Sequence, residues 1–411
     1  MKVKRPNAAL YFTVYIFIYP LLKLMFRMEV DRKNYNPPKD PFLAISNHSS
    51  FMDFLVVMLS LYPKKFNAIT AQKFFLYKPL NKLLPLMGCI PKNLFDPDVR
   101  SIIGIKSVLK RGDNILLFPE GRCACDGIYA GMHKSTGKLV KKLAVPVVSC
   151  SIDGAYSCMP FWRKGIRAGR VKITISNLFS PDDLLSLSID EINTSIDKRL
   201  GRDEDLPPKK PYGTFGNKRL AEGLQHILYW CPKCSKEFTT ETAGCDIWCT
   251  ECGNKATLDR DMNLTATPDS VIPDDVHEWY KQQAQYEASK LHEEMEPISV
   301  FVNVQLPSEI PGDGMIACGS GDISLSVDGW RYNGKLKGES VNLFFPIDTV
   351  PALPIDPNDV FQIYANGTFY TFSPEEKRRC VKYSVIGECA YWKFANPVQM
   401  TPRKDSGFCE L

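Results

Sequence analysis

The sequence predicts a chain of several domains that begins with an α/β domain and ends with a β-rich one. Short β-rich runs alternate with helical runs between about residues 40 and 200. Two Cys-x2-Cys pairs follow within one short segment, and strand-like runs separated by turn dipeptides fill the chain beyond Pro297. A length of 411 residues leaves room for about two to four domains.

The first segment, residues 1–30, is predicted to associate with a membrane. Residues 9–26 are apolar almost throughout, which is the short limit for crossing about 30 Å of hydrocarbon, and they contain Pro20 and Lys23. Aromatic residues suited to the headgroup level lie within the run, and basic residues flank it on both sides. We therefore expect a kinked helix or a short hairpin in one leaflet. A buried N-terminal core helix is the alternative.

Charge and cysteine usage bear on the compartment. The formal net charge of +5 is weak evidence for nucleic acid, although it suits an anionic lipid surface. Many of the fourteen cysteines are single and lie in apolar runs, for example Cys89, Cys150 and Cys318, which favours a reducing compartment. No small-residue cleavage site follows the apolar run. We expect a membrane-associated protein on the cytoplasmic face that retains its first segment.

The alternating runs predict an α/β domain over residues 31–205. Its strands are expected in the runs FLAIS, NAIT, ILLFPEG and VPVVSCSI, and a helix that begins near Val99 should end before Gly112. A strand VKITISNL and a helix at about residues 181–200 complete the domain. The charged, proline-containing stretch that follows predicts a linker over residues 206–227.

His48 and Asp53 form a candidate general base and its orienting carboxylate. Ser49 and Ser50 can cap a helix that starts just after the first strand of the domain. Within one helix, five residues would turn the two side chains about 140° apart, so they meet only if His48 precedes the helix and curls back. The carboxylate would then fix the imidazole tautomer while the other ring nitrogen takes a proton.

The His48–Asp53 spacing is weak evidence by itself. Five histidines and 46 acidic residues would give about 0.6 His-x4-acid matches by chance in a chain of this length. Its context is more specific. Three further blocks follow in order: Gly88-Cys-Ile-Pro-Lys92, Leu116-Leu-Phe-Pro-Glu120-Gly-Arg122 and Val145-Pro146-Val147. As an ordered set over roughly residues 40 to 200, the blocks resemble the glycerophospholipid acyltransferase family, which includes the 1-acyl-sn-glycerol-3-phosphate acyltransferases.

The resemblance implies an enzyme that moves a fatty acyl group from a thioester of coenzyme A or acyl carrier protein to a lysophospholipid hydroxyl. The expected acceptor is 1-acylglycerol-3-phosphate, and the product is phosphatidic acid. The family uses direct attack, with no acyl-enzyme, which makes His48 the base and Asp53 its orienter without a catalytic cofactor. The family's Phe-Pro-Glu-Gly block binds the acceptor's glycerol phosphate, which implies Glu120, Gly121 and a neighbouring cation.

Two departures from the family's pattern concern that cation. The family continues with Thr-Arg after the glycine, whereas this chain has Arg122-Cys123, so Arg122 is displaced by one residue. Lys92 stands where the family often has Arg and lacks the bidentate fork of a guanidinium. Lys73 resembles a lysine of the family's Ala-Lys-x-Glu-Leu segment and is a further candidate for the phosphate. Lys73 and Lys92 are about as well explained as ordinary surface lysines.

Two cysteine knuckles predict a structural metal site in residues 228–262. Cys231 and Cys234 form the first Cys-x2-Cys pair, and Cys249 and Cys252 form the second. Four thiolates at tetrahedral reach hold zinc in a closed site, and Cys245 is a spare candidate. Disulfide pairing is the alternative. The loop between the pairs carries more acidic than basic residues, so we expect a folding staple or docking surface and no nucleic acid partner. The chain is thus identified as a bacterial form of the family with an added zinc ribbon.

The remaining chain is predicted to hold a linker helix and a β-rich domain. The run VHEWYKQQAQYEASKLHEEM predicts a long polar helix, a possible spacer, within residues 263–296. In residues 297–411, Asp328-Gly329 and Asn366-Gly367 occupy hairpin positions, and a final helical run has one apolar side. This predicts a small sheet or barrel with one packed helix, similar to pleckstrin-homology folds, whose partner is a lipid, a peptide or another part of the chain.

A second function remains open beside the enzyme. A membrane-bound adaptor with a degenerate acyltransferase fold would use the ribbon and the β-rich domain. The presence of both His48 and Asp53 argues against such decay, whereas the altered sequence after Gly121 keeps the adaptor in consideration. The acyl chain length and the acceptor headgroup depend on the shape of the pocket.

Overall fold

The computed structural model describes residues 3–38, 41–94, 98–201, 213–216, 218–357, 359–365 and 367–395. The predicted domain end near residue 205, the first part of the predicted linker and the hairpin residue Asn366 lie outside these residues.

The first segment forms one helix, α1 (Ala8–Met25), which continues through Pro20. The side chain of Asn7 accepts a hydrogen bond from the Leu10 N–H and caps the helix. Tyr11 and Leu22 are buried against the first domain, and the Tyr11 hydroxyl accepts a hydrogen bond of 3.1 Å from the Phe66 N–H. The hairpin form of the prediction is therefore wrong, because the helix is not interrupted. Most of the outer surface of α1 remains exposed.

The first domain contains a seven-stranded sheet in the order β1-β7-β6-β2-β5-β3-β4. Its strands are parallel except for the β6–β7 pair, which is antiparallel. The strand bounds are β1 (Glu29–Asn34), β2 (Leu43–Ser46), β3 (Phe66–Ala71), β4 (Ile90–Lys92), β5 (Asn114–Leu117), β6 (Val147–Asp153) and β7 (Lys172–Phe179).

Helices cover both faces of this sheet, as side chains on the central strands alternate between two cores. The helices are α2 (Asp53–Ser60), α3 (Leu80–Leu86), α4 (Val99–Lys110), α5 (Ser135–Leu143), α6 (Ala155–Cys158), α7 (Pro181–Ser186) and α8 (Ile189–Leu200), with a 3-10 segment at Gln72–Leu76. Ala44 faces the core that contains α1 and α2, whereas Leu43 and Ile45 face the core that contains α4, α5 and α8. The predicted α/β layering is thus present.

The cysteine knuckles belong to a small antiparallel sheet in the order β11-β10-β9-β8. Its strands are β8 (Thr240–Ala243), β9 (Asp246–Cys249), β10 (Lys255–Leu258) and β11 (Leu264–Ala266), so the unit continues past the predicted end at residue 262. Leu220, Leu224 and Ile227 precede it, with a 3-10 turn at Leu224–His226, and they are fully packed in a core. The last part of the predicted linker is therefore structural, because its apolar residues fill this core.

Helix α9 (Val276–Ser289) is a central packing element and does not act as a spacer. Trp279 and Ala284 are buried on one face, and the polar side chains of Gln283 and Glu287 are buried as well. The Gln283 amide accepts hydrogen bonds from the Tyr229 and Trp230 N–H groups, which ties the helix to the first cysteine knuckle. The spacer prediction is wrong because some polar residues of this helix are buried and hydrogen-bonded to the rest of the chain.

The last domain is a seven-stranded antiparallel sheet in the order β15-β14-β13-β12-β18-β17-β16. Its strands are β12 (Ile298–Pro307), β13 (Met315–Ser326), β14 (Gly329–Leu336), β15 (Glu339–Pro346), β16 (Ile355–Asp356), β17 (Val360–Ala365) and β18 (Thr368–Pro374), with a 3-10 turn at Ile347–Thr349. Helix α10 (Arg379–Phe394) packs over it, and the Trp330 ring meets the helix at Gly387. The predicted sheet with one packed helix is present.

The last domain docks onto the first through backbone and side-chain contacts. The Lys78 N–H donates to the Gly312 carbonyl over 3.2 Å, and the Gly314 N–H donates to the Leu76 carbonyl over 2.8 Å. From α9, His277 Nδ1 lies 2.7 Å from the Asp126 carboxylate. These contacts bring the C-terminal part of the chain to the same side of the first domain as the candidate site.

Candidate active site

The candidate site lies at the carboxyl end of β2, where the chain turns into α2. His48 stands in this turn and Asp53 is the first residue of α2. His48 Nδ1 is 3.2 Å from Asp53 Oδ2, which also accepts a 2.8 Å hydrogen bond from the Ser50 N–H. The histidine therefore precedes the helix and curls back onto the carboxylate, the arrangement that the five-residue spacing requires.

Burial affects the pKa of the carboxyl group in this pair, and ring stacking fixes the orientation of the imidazole. Asp53 is fully buried, and this desolvation raises the pKa of its carboxyl group, while the hydrogen bond to His48 opposes the rise. The His48 ring stacks on Phe118 at a centroid distance of 4.4 Å. The stacking and the Asp53 contact hold the imidazole in one orientation, with Nε2 directed away from the carboxylate.

Glu120 and Gly121 shape the loop that faces His48. The Glu120 carboxylate accepts a 2.5 Å hydrogen bond from the His48 N–H and a 2.8 Å hydrogen bond from the Ala130 N–H. Burial raises the pKa of Glu120 to about 7, and the two backbone hydrogen bonds oppose the rise. Gly121 has a φ of 72°, which favours glycine. Glu120, expected to bind the acceptor, thus uses both carboxylate oxygens to hold the loop in this structure.

Cys123 is a site residue that the sequence interpretation missed. Its Sγ lies 3.3 Å from His48 Nε2, on the opposite side of the ring from Asp53. The residue is 7% exposed, and burial raises the pKa of its thiol well above the usual range. The sequence offers one signal for this residue: Cys123 stands directly after Arg122, where the chain departs from the family's pattern.

The Arg122 side chain reaches the last domain. Its Nη2 donates to Glu388 Oε2 on α10 over 2.5 Å, and both side chains are largely buried. Burial alone would lower the pKa of Arg122, but the Glu388 carboxylate raises it above the ordinary value. The guanidinium predicted to meet the acceptor's phosphate is therefore neutralised here by a carboxylate of the same chain.

Lys73 and Lys92 also have partners. Lys73 Nζ lies 3.3 Å from Asp356 Oδ1 and 3.4 Å from Gln362 Oε1, both in the last domain, and its side chain is only 13% exposed. Lys92 Nζ donates to the Asn93 carbonyl over 3.2 Å. Lys73 is thus not an ordinary surface lysine. Two of the three predicted phosphate cations are held by the last domain.

A small cavity lies between the first domain and the last domain, beside Glu120. Its walls come from both, with Glu120, Arg122 and Gly131 on one side and Pro351, Glu388 and Trp392 on the other. Residues near the C-terminus therefore lie close to the loop that carries Cys123.

The four predicted metal ligands converge in the small sheet. Their sulfur atoms all lie within 4.8 Å of one another, and the Cys231–Cys252 and Cys234–Cys249 Sγ distances are both 3.7 Å. Tetrahedral bonds of about 2.3 Å from zinc to sulfur require sulfur atoms about 3.8 Å apart. A disulfide needs about 2.05 Å. The cluster has the dimensions of a four-thiolate metal site.

Comparison with known proteins bears on the first domain. Residues 27–153 match the family model described as Acyltransferase. A chloroplastic 1-acyl-sn-glycerol-3-phosphate acyltransferase of Arabidopsis thaliana is 30% identical over 164 residues, which are 39% of this chain and 44% of that protein. A 1-acyl-sn-glycerol-3-phosphate acyltransferase of Chlamydomonas reinhardtii is 28% identical over 156 residues, 37% of this chain and 46% of that protein. The chain thus spans somewhat less than half the length of these curated relatives.

One solved structure matches about half of the chain. It is the 1-acyl-sn-glycerophosphate (LPA) acyltransferase PlsC from Thermotoga maritima, which is 22% identical, covers 47% of this chain and 77% of that chain, and has a TM-score of 0.41.

Proposed function

We propose that this chain, whose residues 27–153 match the acyltransferase family model, moves a fatty acyl group from an acyl thioester to the hydroxyl of a lysophospholipid. The observation that carries the proposal is the contact of 3.2 Å between His48 Nδ1 and Asp53 Oδ2, within the residues that match the family. The acceptor that fits best is 1-acyl-sn-glycerol 3-phosphate, because both curated relatives have it in their names. The product is then phosphatidic acid, and coenzyme A or acyl carrier protein carries the thioester.

His48 supplies the general base in this proposal. Asp53 accepts a hydrogen bond from His48 Nδ1–H and so fixes the tautomer in which Nε2 carries no proton. The same carboxylate stabilises the imidazolium that forms when Nε2 takes a hydroxyl proton. An acyl thioester is already activated, so a positioned base and stabilisation of the oxyanion suffice for transfer.

The acceptor's phosphate is proposed to compete with carboxylates of the last domain for Arg122 and Lys73. Both cations lie near the His48 loop in sequence or space, and both are paired with residues of the last domain. A phosphate offers more charge and more acceptor oxygens than the single carboxylate contact of Lys73. Lys92 remains a third candidate from the resemblance.

Helix α1 is proposed to attach the protein to a lipid surface, with the helix axis parallel to the plane of the membrane. It is long and apolar enough to cross a membrane by length and composition, with 11% of its residues buried. Its outer face exposes large apolar side chains, including Phe12 at 52%, Phe17 at 69% and Leu24 at 80%. Because the opposite face packs on the first domain through Tyr11 and Leu22, the helix fits a position within one leaflet better than a span. The cytoplasmic face is our proposed side.

A structural zinc ion is proposed for the four-cysteine site. Cys231, Cys234, Cys249 and Cys252 would hold it as thiolates, and the sulfur separations fit tetrahedral coordination. Four protein ligands leave no open position for substrate, so the ion would stabilise the small sheet and supply no catalysis. We also propose a pleckstrin-homology-like fold for the last domain, supported by its seven antiparallel strands and by helix α10 packed over them.

The deciding experiment measures acyl transfer by the purified full-length protein in detergent. Long-chain acyl-CoA and acyl-loaded carrier protein are each offered with a panel of lysophospholipids that includes lysophosphatidic acid. We expect phosphatidic acid, and we expect His48→Ala to lower the rate by about 100- to 10,000-fold. His292→Ala is the matched control, since His292 is exposed and its side chain is outside the site. If the intact protein transfers to no acceptor from either donor, the enzyme proposal fails.

One observation favours the adaptor as the second candidate. Arg122 and Lys73 are both occupied by the last domain, as expected for a fold whose substrate site has become a docking surface. An adaptor would bind lysolipid-containing vesicles without turnover, so the same assay separates the two.

A further inference from the structure

Two arginines in the connection between α6 and β7 have buried donor atoms without a partner in the described part of the chain. Residues 159–170 of this connection are named the arginine loop. Arg167 is 9% exposed, and both its Nε and its Nη1 atoms lack a partner. Arg163 is half-buried, and its Nε atom is also buried and unpartnered. Three donor nitrogen atoms of two charged groups are therefore unsatisfied, and buried donors of this kind are rare in folded proteins.

The contacts that these two side chains do make supply no negative charge. Arg167 Nη2 donates to the Leu220 carbonyl, and Arg163 Nη1 donates to the Arg219 carbonyl. The Arg167 guanidinium also lies over the Trp162 ring, 5.3 Å from its centroid. Burial, and next the charge of Arg163, lower the pKa of Arg167 to about 10, so the group stays charged at neutral pH. A buried charge needs a counterion, which indicates an anion at this place.

The acidic residue whose charge reaches Arg163 already has another partner. Both carboxylate oxygens of Glu222 lie 2.8 Å from Arg219 Nε. The arginine loop itself contains no Asp or Glu, whereas four of its residues are basic: Arg163, Lys164, Arg167 and Arg170. These observations favour a ligand as the counterion of the two guanidiniums.

The arginine loop is joined to the end of α1, the helix proposed to lie on the membrane. The Gly169 N–H donates to the Met25 carbonyl over 3.2 Å. Large apolar side chains are exposed on both segments, with Leu24 80% and Ile166 56% exposed. A basic loop with an exposed isoleucine, next to an apolar helix, suits the headgroup region of an anionic bilayer.

The geometry of a lipid phosphate matches the unsatisfied donors. A guanidinium binds phosphate oxygens through two parallel hydrogen bonds. The turn between the two arginines is open, because Lys164, Gly165 and Ile166 are exposed and nothing lies within 4 Å of an ideal Cβ on Gly165. A small movement of the half-buried Arg163 side chain would therefore admit a headgroup to Arg167 from this turn.

We propose that Arg163 and Arg167 form a binding site for the phosphate of an anionic phospholipid in the membrane that α1 contacts. The inference rests on the proposed attachment of α1 and is independent of the chemistry at His48. The headgroup supplies the charge that the two guanidiniums lack, and Ile166 packs against the lipid beside it. The rival explanation is that Arg167 only packs on Trp162 and binds no ligand.

The other end of the arginine loop touches the start of α2. Ser50 Oγ donates to the Met159 carbonyl over 3.1 Å, and the Phe51 and Phe161 ring centroids are 5.7 Å apart. A headgroup bound by the arginine loop therefore ties the turn that carries His48 to the lipid surface, in which a lysophospholipid acceptor is dissolved.

Vesicle binding tests the site. The full-length protein is diluted out of detergent and sedimented with vesicles of phosphatidylcholine, or of phosphatidylcholine with phosphatidylglycerol. We expect tighter binding to the anionic vesicles, and we expect Arg167→Gln to lower that partition coefficient at least about tenfold, because hydrogen bonds to a charged group are lost. Arg170→Gln is the matched control, since it removes the same charge from an exposed residue of the same loop and should cost at most about fivefold. Equal losses would show diffuse attraction and overturn the site.

Thermal unfolding with soluble phosphates identifies the source of the phosphate. The probes are dihexanoyl phosphatidylglycerol below its micellar concentration, inorganic phosphate and coenzyme A. Stabilisation by the short-chain lipid that Arg170→Gln keeps and Arg167→Gln loses supports the proposal. Equal stabilisation by inorganic phosphate, or stabilisation by coenzyme A without the lipid, overturns the lipid assignment. If Arg167→Gln does not fold, Arg163→Gln replaces it in both experiments with the same expected results, because Arg163 is only half-buried.

The outcomes separate this inference from the proposed attachment of α1. Equal binding of the wild-type protein to both kinds of vesicle, without stabilisation by dihexanoyl phosphatidylglycerol, overturns the headgroup site and leaves the attachment. Absence of binding to either kind of vesicle overturns both.

Discussion

Arg122 and Glu388 form an ion pair across 266 residues of sequence, with Nη2 and Oε2 2.5 Å apart and both side chains largely buried. The pair joins the loop next to the candidate site to helix α10 of the last domain. A surface ion pair would contribute little to stability, whereas the loss of one partner from a buried pair leaves an uncompensated charge.

Glu388→Gln should therefore destabilise the protein. Removal of one partner of a buried pair costs about 3 to 5 kcal/mol, which we expect as a clear fall in the thermal unfolding midpoint. Glu376→Gln is the matched control, because the Glu376–Arg379 pair near the start of the same helix is exposed and should contribute less than about 1 kcal/mol. Equal midpoints for the two variants would show that the buried pair is not structurally important.

Asp356→Asn should increase affinity for a phosphate-bearing acceptor. The substitution removes the charge that holds Lys73 Nζ at 3.3 Å and leaves the lysine to the acceptor. Because Asp356 is about half exposed, we expect only a two- to fivefold fall in KM for lysophosphatidic acid, about 0.5 to 1 kcal/mol. KM for an uncharged monoacylglycerol should not change. Asp359→Asn, which loses an exposed pair with Lys377, is the control, and a rise in KM with Asp356→Asn would contradict the competition.

The pH dependence of stability should report on Glu120. Its folded-state pKa of about 7 lies above the ordinary value of 4.5. Between these values the folded protein keeps a proton that the unfolded chain has lost, so the free energy of unfolding falls as pH rises through this window. The slope from this group is at most about 1.4 kcal/mol per pH unit. Thermal unfolding from pH 4 to 8 should show a shallower slope for Glu120→Gln, and an unchanged slope would assign the dependence to another group.

Metal analysis should find about one zinc per chain. The double variant Cys231→Ser, Cys234→Ser should lose the metal and the order of the small sheet, because four-thiolate sites contribute folding free energy directly. Cys245→Ser should keep it, since its sulfur is not among the four that converge. A well-folded wild-type protein without metal after purification in zinc-containing buffer would refute the zinc site.

Attachment to lipid should depend on the outer face of α1. Replacement of Phe17 and Leu21 by Glu puts two charges where 69% and 52% of these apolar side chains are exposed, and we expect loss of sedimentation with anionic vesicles. Leu185→Glu on α7 is the control, because that leucine is 76% exposed and lies outside α1. Vesicle binding by the α1 variant at the wild-type level would exclude this face as the attachment surface.

Local geometry explains what could be predicted of the site. Asp53 follows His48 by five positions, a spacing that allows contact only across a strand-to-helix turn, and the structure has that turn. The alternation of β-rich and helical runs likewise anticipated the sheet with helices on both faces, because burial on both faces makes strands apolar throughout. The two Cys-x2-Cys pairs likewise predict that four sulfur atoms converge, as they do in the structure.

Partners distant in sequence explain what could not be predicted. Nothing local to Arg122 indicates Glu388, and nothing near Lys73 indicates Asp356, since both pairs depend on how two domains dock. The sequence predicts α9 as a polar helix and a spacer, because its buried Gln283 and Glu287 carry no apolar signal. The sequence does not identify Cys123 as a site residue, because its contact with His48 joins residues that are 75 positions apart.

The loop from Glu120 to Ala124 is hydrogen-bonded to both backbone groups of His48: the Glu120 carboxylate accepts from the His48 N–H, and the Ala124 N–H donates to the His48 carbonyl. The entropy of ordering this loop is therefore lost when the chain folds and not when a substrate arrives. A site prepared in this way can use the binding free energy of the lipid to orient the reacting atoms, without remodelling the protein around them.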